Sequence, residues 1–315
     1  MRLWDDAVEA MRPEARQVVA DQMAALRDVL EPEVAPSTPA ERVAAGRALF
    51  SRLVAPAAEG RDRTIAGVRC RVFLPEGTPR AVYLHFHGGG MVLGLPELND
   101  LPNRDLARRH QVAVVSVDYR LAPEHPWPAG PEDGLAVARW LLAEGKAEFG
   151  TDRLLLGGES AGGYMAAAVL LGLRDPVVPG AIVGVDLVFG VFDWGGNPSQ
   201  HGVRPSTGPD ILNPEEIAFF SECYLPGKSP EERRDPGISP AAADLSDLPP
   251  ALFSVGTADH LLDDTLTLAG RWAAAGNETQ LWVGPDLPHA FLWFPCAMTA
   301  DHARVTAEWI EGRLS

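Results

Sequence analysis

Leu154-Leu155-Leu156-Gly157-Gly158-Glu159-Ser160-Ala161-Gly162-Gly163 is the stretch on which the reading of this chain turns. An apolar run of strand length stands before the serine. A small-residue helical pattern, Ala166-Ala167-Ala168-Val169-Leu170, stands after it. Gly158-x-Ser160-x-Gly162 between a strand and a helix describes a sharp turn that holds a serine on strained backbone. A side chain at either glycine would crowd that turn. The serine hydroxyl is lifted clear of the strands, where a base can reach it. Ser160 is therefore the expected nucleophile.

Outward from this turn the chain alternates strands with helices. Val68, Cys70, Val72 and Leu74 alternate with polar residues, as in a half-exposed strand. Ala81-Val82-Tyr83-Leu84-His85-Phe86 and Val112-Ala113-Val114-Val115-Ser116-Val117 are continuous runs that suit strands buried on both faces. Further strands are expected near 153–157, 181–189, 251–256 and 280–284, with helices near 131–144, 160–173, 262–275 and 300–313. This order implies an α/β fold, a mostly parallel central sheet flanked by helices. Residues 1–55 lack any βα unit and read as a helical cap segment, with Ala15, Val19, Met23, Leu26 and Leu30 at helical spacing. Thr38-Pro39-Ala40-Glu41 reads as a capped helix start. The catalytic domain is expected over 56–315. A Pro-, Gly- and Ser-rich insertion at about 193–245, with a helical patch near 214–223, is expected to be a second cap segment.

With 315 residues, 46% apolar and 22% charged, the composition is that of a globular protein with a sizeable core. The net charge of −16 repels phosphate backbones and anionic lipid, which argues against nucleic acid and stable membrane association. Cys70, Cys223 and Cys296 are too few and too scattered for a disulfide framework. No apolar run is long enough to span a bilayer, and the acidic start is unlike a signal peptide, so a cytoplasmic location is expected.

A serine nucleophile needs a base and an orienting acid, in the chain order serine, acid, histidine. Of the eight histidines only His201, His260, His289 and His302 follow Ser160. His201 lies in the insertion, and His302 in the last helical pattern, where it reads as a surface group. His289 follows a late strand in Gly284-Pro285-Asp286-Leu287-Pro288-His289. Ligands and catalytic groups gather at the carboxyl ends of strands, so His289 is the expected base. Asp259, directly after Leu252-Phe253-Ser254-Val255-Gly256, is the expected acid. Asp263 is the competing choice, although Asp263 and Asp264 read as the acidic first turn of a helix. His260 is expected to point away from its neighbour Asp259. Acyl transfer also needs N–H donors for the developing oxyanion. Gly88 and Gly89 of His87-Gly88-Gly89-Gly90, with Ala161 after the nucleophile, are the expected oxyanion hole. Metal binding by His85 and His87 finds no further ligand cluster, and the glycine run lacks the lysine of a phosphate loop. Neither a metal nor another cofactor is expected.

These motifs together resemble the hormone-sensitive lipase family of α/β-hydrolases, also known as bacterial family IV esterases. The resemblance covers about residues 65–315. It rests on His87-Gly88-Gly89-Gly90, on Asp118-Tyr119-Arg120-Leu121-Ala122-Pro123-Glu124-His125-Pro126-Trp127-Pro128-Ala129, on Gly158 to Gly163, and on His289-Ala290-Phe291. It implies the α/β-hydrolase fold, carboxylic-ester hydrolysis without a cofactor, and a two-part helical cap. Arg120 and Glu124 are expected to lock the loop beneath the oxyanion glycines. Two departures stand out. Glu159 replaces the usual Asp or Thr, and Asp259-His260-Leu261-Leu262-Asp263 replaces the usual Asp-Pro-Leu-x-Asp, which puts Glu159 and His260 at the border of the pocket. Trp4, Trp194, Leu212, Phe219 and His260 are candidate pocket residues. The expected partner is a small ester of short to medium acyl chain, and a homodimer is compatible with the sequence. Amide, carbamate or lactone hydrolysis would use the same triad. A non-catalytic binding protein is the remaining alternative; plant hormone receptors related to this family have lost the catalytic histidine.

Overall fold

The computed structural model describes residues 2–30, 37–174, 180–202 and 211–315, with the side chains of 26–30 left aside. Leu26, Leu30 and part of the 193–245 insertion fall outside that description.

Eight strands form one sheet. They are β1 (Arg61–Ile65), β2 (Val68–Phe73), β3 (Val82–Phe86), β4 (Ala113–Val117), β5 (Leu154–Glu159), β6 (Ile182–Val188), β7 (Ala251–Gly256) and β8 (Thr279–Gly284). The spatial order is β1-β2-β4-β3-β5-β6-β7-β8. Pairs β1/β2 and β2/β4 are antiparallel and all others parallel. The apolar runs occupy the centre, where β3 and β4 are buried at every position. β1 was not expected. Arg61-Asp62-Arg63-Thr64-Ile65 has one buried side chain, and an edge hairpin with β2 supplies its partner.

Among the described residues the sheet is accompanied by helices α1 (Asp6–Leu30), α2 (Pro39–Leu53), α3 (Asp100–His110), α4 (Ala129–Phe149), α5 (Ala161–Gly172), α6 (Ser199–Gly202), α7 (Pro214–Tyr224), α8 (Leu262–Ala274) and α9 (Ala297–Leu314). Thr38 caps α2 through the predicted box with Glu41. α3 escaped the sequence reading because it buries little apolar surface; its buried positions include Asp100, Asn103 and His110. Successive strand residues point to opposite faces. Leu84, Phe86, Val115, Leu156 and Phe253 therefore join α4, α5 and α8 in one apolar cluster. Tyr83, Val114, Leu155 and Leu252 pack with Ala107 of α3 and Trp309 of α9 in another. A third cluster joins Val8, Ala15, Val19 and Met23 of α1 to Phe189, Leu287, Phe291 and Met298. α1 thus packs beside the loop that follows β8.

Candidate active site

Ser160 lies between β5 and α5 at φ 58°, ψ −122°. For a residue with a Cβ such backbone costs roughly 1–2 kcal/mol. The flanking glycines are required by space. A Cβ on Gly158 or Gly162 would fall 2.3 or 1.9 Å from the carbonyl oxygen of Phe86. The Ser160 N–H donates to Val188 O at 2.9 Å, and Ser160 O accepts the Tyr164 N–H that starts α5.

Two other strand ends bring the base and the acid. His289 Nε2 lies 2.9 Å from Ser160 Oγ, and its Nδ1 lies 2.9 Å from Asp259 Oδ2. Asp259 is fully buried, and its Oδ1 accepts the Leu261 N–H at 2.8 Å. A carboxylate at Nδ1 fixes that nitrogen as the donor and leaves Nε2 with a lone pair facing the serine. The competing acid is engaged elsewhere, since Asp263 accepts the Ser199 N–H at 2.8 Å. Asp264 is buried, and its Oδ1 accepts the N–H groups of Phe192 and Asp193, both at 2.8 Å. Burial outweighs those bonds and pushes its carboxyl up to about 6. His260 turns away, with Nδ1 3.1 Å from Ser199 O. His302 departs from its reading as a surface group. It is buried between the rings of Trp282 and Phe291, with centroids at 4.8 and 5.0 Å, and burial lowers its pKa to about 4. Its charged neighbours Asp301 and Arg304 hid an inward-facing helix position.

The glycine run corrects one expected donor. The Gly88 N–H donates to Glu159 Oε1 at 2.9 Å, so it is already committed. The peptide planes beyond it are pinned by their carbonyls. Gly88 O accepts from His87 Nδ1 at 2.8 Å, and Gly89 O accepts from Leu93 N–H at 2.8 Å and Val92 N–H at 3.1 Å. In a trans peptide the N–H points opposite to the C=O, so the Gly89 and Gly90 N–H groups face away from those acceptors. Gly89 and Gly90 have φ of 125° and 63°, which suits residues without a Cβ. A Cβ on Gly88 would lie 3.4 Å from Ser160 Cβ, which places this run beside the nucleophile. His87 is held by stacking on Tyr119 at 4.3 Å, and burial lowers its pKa and keeps it neutral. The Tyr119 hydroxyl donates to His87 O at 2.7 Å.

Glu159 does not face the open side of the turn. Its Oε2 lies 3.2 Å from His85 Nε2, and His85 Nδ1 lies 2.8 Å from Ser116 Oγ and 3.3 Å from Asn103 Nδ2. A largely buried Glu-His-Ser chain thus runs beneath the glycine loop. The loop from Tyr119 to Glu124 is locked differently from expectation. Arg120 donates to Asp133 of α4 at 2.9 Å, and Glu124 accepts from Arg47 of α2 at 2.7 and 2.8 Å.

The candidate pocket residues are scattered. Trp194 is buried against Tyr164 and Tyr224, with ring centroids at 5.3 and 5.0 Å. Phe219 lies under the Arg42 guanidinium at 4.2 Å, and Leu212 is half-buried. Trp4 donates to Glu9 at 2.6 Å. Phe220, missed from sequence, lies against the glycine run; a Cβ on Gly90 would fall 2.5 Å from its ring. Two adjacent phenylalanines on one helix gave no sign of which would face the glycines. Among the described residues, no group of three or more His, Cys, Asp or Glu is arranged to hold a metal ion.

A serine, histidine and aspartate at three strand ends of a mostly parallel sheet, facing a glycine run, define a serine hydrolase of the α/β-hydrolase kind. Residues 83–293 match the family described as alpha/beta hydrolase fold. Esterase LipI of Mycobacterium tuberculosis is 34% identical over 239 residues, covering 74% of this chain and 73% of that protein. Carboxylesterase NlhH of the same organism is 36% identical over 250 residues, 75% of each chain. The crystal structure of a hormone-sensitive lipase from a metagenome library matches with a TM-score of 0.79 and 31% identity, covering 95% of this chain and 98% of that one. A hyperthermophilic esterase from the archaeon Pyrobaculum calidifontis matches with a TM-score of 0.82 and 29% identity, covering 96% and 99%. The chain belongs to the hormone-sensitive lipase family of α/β-hydrolases.

Proposed function

We propose that this carboxylic ester hydrolase works through an acyl-enzyme on Ser160 and takes esters of short to medium acyl chain. The observation that carries the mechanism is the unbroken chain from Ser160 Oγ through His289 to Asp259, with both contacts at 2.9 Å. His289 takes the proton of Ser160 as the oxygen attacks the ester carbonyl. Asp259 stabilises the imidazolium that results. The N–H groups of Gly89, Gly90 and Ala161 receive the oxyanion. Ala161 opens α5, so its N–H has no partner within the helix. His289 then gives its proton to the leaving alcohol, and water attacks the acyl-enzyme by the same route in reverse.

The preference for modest acyl chains rests on the cap and the charge. α7 brings Phe220 against the glycine run, and the acidic chain offers no basic amphipathic segment for a lipid surface. No helix among the described residues is long and apolar enough to cross a membrane. We place the enzyme in the cytoplasm on its three free cysteines. Ser160→Ala tests the mechanism and should lower kcat by on the order of 10⁴- to 10⁶-fold with the fold retained. Substantial turnover with an unchanged substrate profile would exclude Ser160 as nucleophile. A series of p-nitrophenyl esters from about two to sixteen acyl carbons tests the preference, since a short apolar pocket gains little from each added methylene beyond its depth. Peak kcat/KM at the longest chains, with activation at an oil–water interface, would overturn it.

A further inference from the structure

The loop that carries His289 is awkward backbone. Asp286 and Ala290 flank the histidine in the left-handed region, at φ 62° and 55°, and neither is glycine. The sheet holds this loop from one side. Asp286 N–H donates to Thr257 Oγ1 at 2.8 Å, and Leu287 O accepts the Ala258 N–H at 3.1 Å.

The other side is held by α1. Arg12 engages Asp286 in a fork, with Nε on Oδ2 and Nη2 on Oδ1 at 3.0 Å. Arg16, one turn further along the helix, brings its Nε to the same Oδ2. Arg12 is itself held by Glu9 at 3.2 Å, and Glu9 by Trp4. Two guanidinium groups thus converge on one carboxylate whose side chain is only 10% exposed. Burial raises the Asp286 carboxyl, but the two arginines outweigh it and hold it below the usual range. Beneath this contact Ala15 and Val19 share an apolar cluster with Leu287, Phe291 and Phe189, and the Phe189 ring meets His289 edge-on at 4.9 Å.

We propose that α1 positions the catalytic base: Arg12 and Arg16, acting through Asp286, hold the loop that sets His289 between Ser160 and Asp259. This rests on the assignment of His289 as the base. The first helix, expected from the sequence to be part of a cap, then acts on the chemistry itself. A helix that only covers the pocket acts on substrate binding. A helix that fixes His289 acts on both half-reactions, because acylation and deacylation each pass a proton through that ring. Misplacing a catalytic group by about 1 Å costs on the order of 10²-fold, so a loosened loop is expected to show in kcat.

The test uses the full chain and a p-nitrophenyl butyrate assay. Arg12→Gln with Arg16→Gln leaves the base loop's own sequence intact, and should lower kcat about 10-fold or more with KM within about twofold. Arg12→Lys with Arg16→Lys keeps the charges and should recover part of the loss. Asp286→Asn breaks the same contact from the other end; Asn tolerates the left-handed backbone and keeps the N–H to Thr257. Because the groups form one contact, the triple variant should be no slower than the worse of its parents. Inactivation by phenylmethylsulfonyl fluoride, which needs the same base, should slow in parallel. Wild-type kcat in a folded double variant, a change confined to KM, or losses that multiply in the triple variant would overturn the proposal. If the double variant does not fold, Asp286→Asn alone decides on the same criteria. His289→Asn separates this from the underlying mechanism. Turnover surviving in His289→Asn would overturn the base assignment itself, whereas an inactive His289→Asn beside a fully active Asp286→Asn overturns only the role of α1.

Discussion

At the scale of single residues, the triad separates two aspartates that sequence left in competition. Asp259 meets His289 Nδ1, whereas Asp263 caps the Ser199 N–H. Asp259→Asn should therefore lower kcat on the order of 10⁴-fold, because a carboxamide can present an N–H to Nδ1 and impose the wrong tautomer. Asp263→Asn should stay within a few-fold of wild type. Steady-state kinetics on both variants checks the assignment, and a larger loss at position 263 would reverse it. Glu159 gives a second prediction. Its carboxylate fixes the Gly88 N–H, and in the proposed mechanism the next two peptides receive the oxyanion. Glu159→Leu removes that acceptor and should lower kcat by about 10- to 100-fold, somewhat less than the loss of an oxyanion donor itself. Glu159→Gln keeps an acceptor for Gly88 and should recover most of it. Equal losses in the two variants would show that charge, rather than the held peptide, is what matters.

At the scale of elements, the N-terminal helices and the loops around the site are bolted together by arginines that no motif advertises. Arg47 of α2 donates to Val92 O at 3.0 Å and Ala122 O at 2.9 Å, and forks onto Glu124. One guanidinium therefore joins α2, the turn after the glycine run and the Tyr119–Glu124 loop. Arg47→Ala should cost about 1–3 kcal/mol in urea unfolding, since charged hydrogen bonds to backbone are lost at a half-buried site. Arg47→Lys should recover only part, because an ammonium cannot fork. An unchanged midpoint for Arg47→Ala would show that the contact carries no net stability. The same scale explains what could be read in advance. Buried parallel strands announce themselves as apolar runs, and the serine turn as paired glycines, so the sheet is legible, and with it the strand ends at which Ser160, His289 and Asp259 meet. α3 and β1 were not, because polar residues satisfied by tertiary partners carry no periodicity. Arg71 and Asp100, joined at 2.8 Å, are one such pair. Gly88 was misread for a related reason. Sequence shows a glycine run, but the partner of each N–H is set by Glu159 on a strand 71 residues away.

At the scale of the whole molecule, two buried titratable groups far apart in sequence set opposite pH responses. Asp186 of β6 is buried, with Tyr83 Oη at 3.3 Å as its partner, and its Oδ1 has no hydrogen-bond partner among the described residues. Burial pushes its pKa up to about 7, and the charge of Glu159 adds to this against the opposing Tyr83 bond. An unfolded aspartate titrates near 4, so between about pH 4 and 7 the folded state keeps a proton that the unfolded state has released. Stability from this site therefore falls as pH rises through that window. His302 works the other way. Its folded pKa is about 4 against an ordinary value of about 6.5, so the unfolded state binds the extra proton and stability falls as pH drops through that range. Asp186→Asn keeps the shape and removes the charge. It should stabilise the enzyme at pH 8 by on the order of 2 kcal/mol relative to its effect at pH 4. His302→Phe keeps the ring between Trp282 and Phe291 and should flatten the acid limb instead. Urea unfolding of wild type and both variants at about pH 4, 6 and 8 separates the two sites: their windows overlap, but the pH slopes that the two substitutions remove have opposite signs. A shift that is the same at every pH would mean that Asp186 and His302 act through packing alone, and that neither exchanges a proton as the chain unfolds.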